Sequence, residues 1–348
     1  MMNTMKRQMK IYRIFLAAAV AVLGMGLVSC KKDKSTDESK EYLTGSMNFS
    51  IPTYVMPGQQ FHLVPTGVTK TDGGAPGIYW TDSYSSVRDT TRRENGAGDG
   101  AFDFTVPSDV TSMTLTCAAF ADGYYNMSKV VSLVIVKGAE SITGLDLPDD
   151  VAKLEDKRDG RSYPYVKIGG REWMARNLAF GSGKPYYNAA AMQDVFGMYY
   201  TWDEAKAACP EGWRLPDAAD WDDLAKAHGL EEPGDVYAGI AGDMMADAYM
   251  NENKMWEFWP EITITNKLKF CAIPSGYAME DGETASFRGS SQYAVFWTAE
   301  EADEDQAWAR QLYLRSADVF KASLHKSYFR ANVRCVRDAS SNFNLSIP

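Results

Sequence analysis

Between residues 46 and 137 apolar and polar residues alternate in one short run after another, with no helical period. Met47-Asn48-Phe49-Ser50-Ile51 and Gln60-Phe61-His62-Leu63-Val64 alternate, and the turn signal Pro57-Gly58 lies between them. Ile78-Tyr79-Trp80 is a short apolar run, and Ala101-Phe102-Asp103-Phe104-Thr105-Val106 alternates again. The stretch beginning at Met113 puts Met113, Leu115 and Cys117 on one face, and Val130 to Val136 closes the set. A period of two sends successive side chains to opposite sides of a pleated strand, so one side of each run has to be buried. Short strands at this spacing, separated by turn residues, predict an all-β sandwich over 46–139.

From residue 158 the pattern changes. Asp159-Gly160 and Gly169-Gly170 are hairpin signals, flanked by the strand residues Tyr163, Tyr165, Val166, Ile168 and Trp173. Trp202-Asp203-Glu204-Ala205-Lys206-Ala207-Ala208-Cys209 has helical composition and stops at Pro210. A second helix follows, with Asp217 as N-cap, Asp220 at its third position and Trp221, Leu224 and Ala225 on one face. Further on, the runs beginning at Phe270, Ala294 and Asn332 read as strands, the last ending the domain at Asp338. The intervening residues 140–157 are read as a linker, and 341–348 as a tail.

The N-terminus reads as an export leader over 1–29. Lys6, Arg7, Lys10 and Arg13 precede an apolar run from Ile14 to Val28, which ends at Ser29-Cys30 before the charged Lys31-Lys32-Asp33-Lys34. That run is short for a lasting span, which takes about 20 apolar residues. Residues 30–45 are polar and charged, and read as a disordered tether. The formal net charge is −10, and removing the four basic residues of the leader with no acidic one takes it to −14. An acidic body argues against nucleic acid as a partner. Four cysteines remain beyond Cys30: Cys117, Cys209, Cys271 and Cys335. An oxidising compartment permits disulfides, but the residues alone leave three full pairings open. No Cys-x-x-Cys pair occurs and His62, His228 and His325 lie far apart, so no zinc site is expected. Neither a Gly-x-Ser-x-Gly elbow nor a phosphate loop is present, so no enzyme activity and no cofactor is expected.

Several resemblances sharpen this reading. Leu27-Val28-Ser29-Cys30 resembles the bacterial lipobox, which implies lipidation of Cys30 and a membrane anchor held by several acyl chains. The strand layout of 46–139 resembles immunoglobulin-like or PKD-like modules, which implies Trp80 as a core tryptophan and Cys117 as an unpaired core cysteine. Over 158–340, five segments in order resemble the Fibrobacter succinogenes major paralogous domain: RDGRSYPYVKIGGREWMARNL, ACPEGWRLPDAADWDDL, CAIPSGY, FWT and VRCVRD. That family occurs largely on exported and surface lipoproteins of Bacteroidetes and their relatives. Gly212-Trp213-Arg214-Leu215-Pro216 with Trp221 also resembles the motif shared by sulfatase activators and C-type-lectin-like folds. This likeness implies an α+β domain, two helices packed on small antiparallel sheets with long loops. It also implies a Cys209–Cys335 disulfide, with Cys271 a buried thiol in a strand; Cys271–Cys335 is the alternative. The sulfatase-activator likeness would require reactive cysteines or a copper site late in the domain, and neither maps onto Cys271 or Cys335. The triplets by which calcium-dependent lectins hold their ion are absent, so no metal is expected; the acidic clusters at 217–223 and 300–305 read as solvated charge.

The expected architecture is therefore multidomain: an all-β immunoglobulin-like sandwich followed by an α+β C-type-lectin-like domain. The expected role is non-catalytic binding or adhesion on the outer membrane, facing outward, with a glycan or a surface protein as ligand. The alternatives are a structural or tip subunit of a surface fibre, an extracellular glycan- or sulfatase-related enzyme, and a periplasm-facing location. Residues 232–263 are rich in Met and aromatic side chains and read as an insertion that covers a satellite core or offers an adaptable apolar patch. Trp256, Trp259, Tyr277, Trp297 and Trp308 are the candidate ligand contacts, because large amphipathic rings serve binding surfaces as readily as cores.

Overall fold

A computed structural model describes residues 40–84, 91–94, 100–257, 262–282 and 284–339. Cys30 lies outside the described residues, as does Trp259. The structure is mostly β, arranged in many small sheets.

In the first lobe the alternating runs form a five-stranded sheet in the order Tyr54–Val55, Met127–Ile135, Ser112–Phe120, Gly77–Tyr84 and Thr91–Glu94. Its neighbours are antiparallel except at Tyr54–Val55, which runs parallel to the end of its partner. Met113, Leu115 and Cys117 are buried together on one face, as their spacing predicts. Two strand pairs share that core: Thr44–Asn48 with Thr66–Thr69, and Gln60–Leu63 with Phe102–Thr105. Trp80 is fully buried between Phe49 and Phe102, and its indole N–H donates to the Gly100 carbonyl at 2.9 Å. Cys117 is a free, buried thiol, and burial pushes it up to about 12.

The tether and the linker both end differently from expectation. Glu41–Tyr42 pairs with Tyr124–Tyr125, and Leu43 is buried in the first-lobe core, so 41–45 belong to the fold. Within 140–157, Ile142–Thr143 pairs with Tyr249–Met250 and Lys153–Glu155 pairs with the start of Ser162–Ile168. Leu147 and Val151 pack on the core of the second lobe. These residues are too polar to announce strands, and pairing with distant segments fixes them. The two lobes also share an apolar cluster. Val136, at the end of the first-lobe sheet, is buried with Ile142, Tyr186, Met192 and Phe196, and Tyr54 packs against them.

The second lobe opens with the expected hairpin: Ser162–Ile168 turns back into Arg171–Met174 with Ile168 opposite Arg171. Gly169 is required at the turn. Its φ is +62°, and a Cβ there would lie 2.4 Å from the Asp223 carboxylate, which accepts the Gly170 N–H at 2.6 Å. Val336–Asp338 adds to the other edge of this hairpin. A second sheet runs Val236–Tyr237, Val319–His325, Gln306–Tyr313, Tyr293–Glu301, and a third runs Thr284–Arg288, Tyr277–Asp281, Phe329–Arg330. Helices Trp202–Ala208 and Ala218–Ala227 both begin with a reciprocal capping box, Thr201 with Glu204 and Asp217 with Asp220. Among the described residues no helix is long and apolar enough to cross a membrane.

Cys209 and Cys335 form a disulfide that ties the end of helix Trp202–Ala208 to the residue just before the last strand. Cys271 is free and buried, but it is not in a strand. It takes a left-handed φ of 55°, its N–H held by the Asn266 side chain at 3.0 Å, and the strand begins only at Tyr277. The apolar run there reports burial and not extended backbone. The described residues of 232–263 are not a satellite either: Tyr237, Met244, Met245 and Trp256 join the main core around Trp173, Trp221 and Phe270.

Candidate functional site

Two of the expected ligand contacts are core residues. Trp297 is fully buried and donates to the Tyr200 carbonyl at 2.8 Å. Trp256 is 1% exposed and donates to the Ala246 carbonyl at 3.0 Å. Both satisfy their indole N–H inside the fold, which is what a buried tryptophan needs, and neither ring can meet a ligand. Trp308 is half-buried beneath Lys321, whose ammonium sits 4.1 Å from the ring centre and pairs with Asp235 at 3.1 Å. The structure does not bring Trp308 to Tyr277. Trp308 and Tyr313 stand five residues apart on one strand, and so point to opposite faces of the sheet.

Tyr277 lies in an aromatic strip with three residues that the sequence reading missed. Tyr293 and Tyr313 face each other across the hairpin and stack at 4.6 Å with an interplanar angle of 13°. Tyr277 meets Tyr293 edge-on at 6.3 Å and stacks on Phe329 at 5.0 Å. All four rings are partly exposed. Gly289 makes the close approach possible, because a Cβ there would sit 2.7 Å from the Tyr293 ring. Gly276 has φ +71° and would strike the Arg288 carbonyl at 2.2 Å with any side chain. Burial, and then the neighbouring Tyr313 hydroxyl, raise the Tyr293 phenol, so it remains a neutral donor at physiological pH. The strip offers ring faces and hydroxyls together, which suits a ligand with both apolar C–H faces and polar edges.

The residues that make the motifs conspicuous are structural. Asp220 is fully buried and accepts from Arg171 at 2.6 Å, from both terminal nitrogens of Arg214, and from the Asp217 N–H at 2.9 Å. Burial pushes its carboxyl up, but the Arg214 and Arg171 hydrogen bonds outweigh this and hold it below the usual carboxylate range. Arg337 pairs with the buried Glu172 at 2.6 Å. Arg334 is fully buried with no carboxylate partner among the described residues. It donates to the Asn177 side chain and to the carbonyls of Met174, Phe270 and Cys271 at 2.5–3.0 Å. Burial lowers its guanidinium to about 9, so it keeps its charge at neutral pH. Ser275 and Asn332, also buried, hydrogen-bond each other at 2.5 Å. Among the described residues no group of three His, Cys, Asp or Glu is placed to hold a metal ion.

Fold and site together define a β-rich, disulfide-closed domain that carries a partly exposed aromatic strip. Residues 166–337 match the family model described as the Fibrobacter succinogenes major domain, which supports the family expected from the five motifs. The match lies wholly in the second lobe and takes in the whole strip. No curated protein matches the chain.

Proposed function

We propose that the chain is a lipid-anchored protein of the outer membrane, exposed on the cell surface, whose second lobe binds a glycan without acting on it. The observation that carries this reading is the partly exposed strip of Tyr277, Tyr293, Tyr313 and Phe329, ring against ring on a disulfide-closed scaffold. A sugar ring presents a C–H face that packs on such rings and hydroxyls that their phenols can meet. The leader and Cys30 support export and anchoring. The first lobe, as an immunoglobulin-like module, would hold the second away from the membrane, and the second would have the C-type-lectin-like fold. The two free thiols support a non-catalytic role: burial raises both above the ordinary thiol range, so neither is a ready nucleophile.

One experiment tests anchoring, exposure and binding together. Intact cells carrying the full chain, or its Cys30→Ala, Tyr293→Ala or Tyr313→Ala variant, are incubated with a fluorescent oligosaccharide library. Wild-type cells are expected to retain label. Cys30→Ala cells should lose it because the protein is released. Each tyrosine variant should retain roughly 2- to 10-fold less, since one stacked ring contributes about 0.5–1.5 kcal/mol. Equal labelling of wild-type and tyrosine-variant cells rejects the strip as the site, and labelling only after lysis rejects surface exposure.

A further inference from the structure

A second feature, independent of the strip, lies where the opening hairpin meets the turn of helix at Gln193–Phe196. A cleft of about 250 Å³ is lined there by Arg161, Tyr163, Arg176, Asn177, Gln193 and Asp194 among others. Arg161 is engaged at each of its three nitrogens: it holds Asp194 at 2.9 Å, Asp159 at 2.7 Å and the Gln193 side-chain carbonyl at 2.7 Å. Arg176 is different. It is half-buried, and among the described residues its side chain has one hydrogen bond, to the Asp194 backbone carbonyl, and no carboxylate within ion-pair distance. The Asp194 carboxylate attracts it but is held by Arg161.

Two further observations point the same way. Arg334, also without a carboxylate, stands behind Asn177, whose side-chain oxygen accepts from it at 2.6 Å. Arg176, Asn177 and Arg334 line one small void together. Three guanidiniums (Arg161, Arg176 and Arg334) thus meet two carboxylates (Asp159 and Asp194), an excess of one positive charge in a chain of formal net charge −10. The Tyr163 hydroxyl, in turn, accepts the Ala179 N–H at 3.1 Å, and its own proton has no acceptor among the described residues. Tyr163 is 3% exposed, and both it and Ala179, whose N–H its hydroxyl meets, line the cleft. Cations drawn into a fold and buried donors are ordinarily paired, and here a half-buried guanidinium without a carboxylate and a buried hydroxyl proton without an acceptor stand at the same place.

We propose that this cleft binds the carboxylate of a small polar molecule, of the size of a single uronic acid ring. The Arg176 fork would take the two carboxylate oxygens side by side, as guanidinium and carboxylate geometry favours, with the Tyr163 hydroxyl donating to one of them. The volume lies just below the range of about 300–1,000 Å³ that serves drug-sized ligands, which restricts the occupant to about one ring. A single excess positive charge matches a monoanion; a phosphate dianion would leave one negative charge uncompensated beside Asp194.

The test is titration calorimetry of the purified full chain in detergent, at fixed ionic strength, with sodium glucuronate, glucose and inorganic phosphate. Glucuronate is expected to bind more tightly than phosphate, and glucose not to bind at the same concentrations. Arg176→Lys keeps the charge but loses the fork, and should weaken glucuronate by at least 10-fold. Tyr163→Phe keeps the ring and removes only the donor, and should weaken it several-fold even if the arginine variant is poorly folded. The proposal is overturned if glucuronate gives no heat, if glucose binds as well, if phosphate binds more tightly, or if a folded Arg176→Gln protein binds glucuronate unchanged.

Discussion

Asp220 shows why motif residues in this chain should be read first as architecture. It caps its own helix, and it gathers Arg171 from the opening hairpin and Arg214 from the Gly-Trp-Arg-Leu-Pro segment. One carboxylate with no exposure therefore joins three segments far apart in sequence. Removing its charge leaves two arginines facing a neutral amide, and Asp220→Asn should cost about 3 kcal/mol, the low end for a broken buried pair because both arginines can still reach water. The pH dependence has a definite sign. The folded carboxyl lies below its ordinary value of 3.8, so its contribution is fully present above that value and is lost as pH falls through the lower folded value. Denaturant unfolding of wild type and Asp220→Asn should accordingly differ most at neutral pH and converge once the pH has fallen below the folded carboxyl's lowered value. A gap of the same size at both ends would show that the carboxylate acts through shape and not through charge.

At the scale of elements, legibility followed local chemistry. The Gly169-Gly170 hairpin and the Asp217 cap were readable because a two-residue turn and a capping box are written in adjacent residues. The aromatic strip was not. Near the turn after Tyr293–Glu301, Glu301 pairs with Ala307, but further along Ala294 pairs with Leu312, so a bulge shifts the register by two residues. Counting outward from the turn places Arg315 opposite Tyr293, and only the bulge brings Tyr313 there. Trp297 failed for a related reason, since a large ring does not reveal which face of its strand is covered, and Trp256, in the bend after Asn253–Lys254, is buried by distant segments that its neighbours do not announce. The Cys209–Cys335 link was legible only through family likeness, since four cysteines carry no pairing information of their own. It spans 126 residues, and chain-entropy scaling gives such a closure about 4–5 kcal/mol. The Cys209→Ser, Cys335→Ser double variant should lose a stability of that order in equilibrium unfolding; a loss under about 1 kcal/mol would mean that the oxidised form is strained or the reduced chain is already restrained.

For the molecule as a whole, the consequential departure from the sequence reading is at 140–157. A soft linker would let the two lobes unfold separately. Instead the first-lobe sheet runs into an apolar cluster of the second lobe through Val136, and Asn251 of the second lobe donates to the Ile135 carbonyl at 2.9 Å. Tyr54, from the edge strand of the first sheet, packs on Tyr186 at 5.6 Å, and burial raises its phenol well above the ordinary range. A shared core couples two folding units because neither can open without exposing apolar surface that belongs to both. Calorimetry of the chain should therefore show one cooperative transition with equal calorimetric and van't Hoff enthalpies. Val136→Ala opens a cavity in the shared cluster and not in either private core, and a buried truncation of this kind costs about 1–3 kcal/mol. That variant should split the single transition in two, whereas Leu115→Ala, inside the first-lobe core, should lower it without splitting. Two separate transitions in the wild type would restore the picture of independent lobes on a flexible joint, and the first lobe would then be a swinging arm instead of a rigid mount for the aromatic strip.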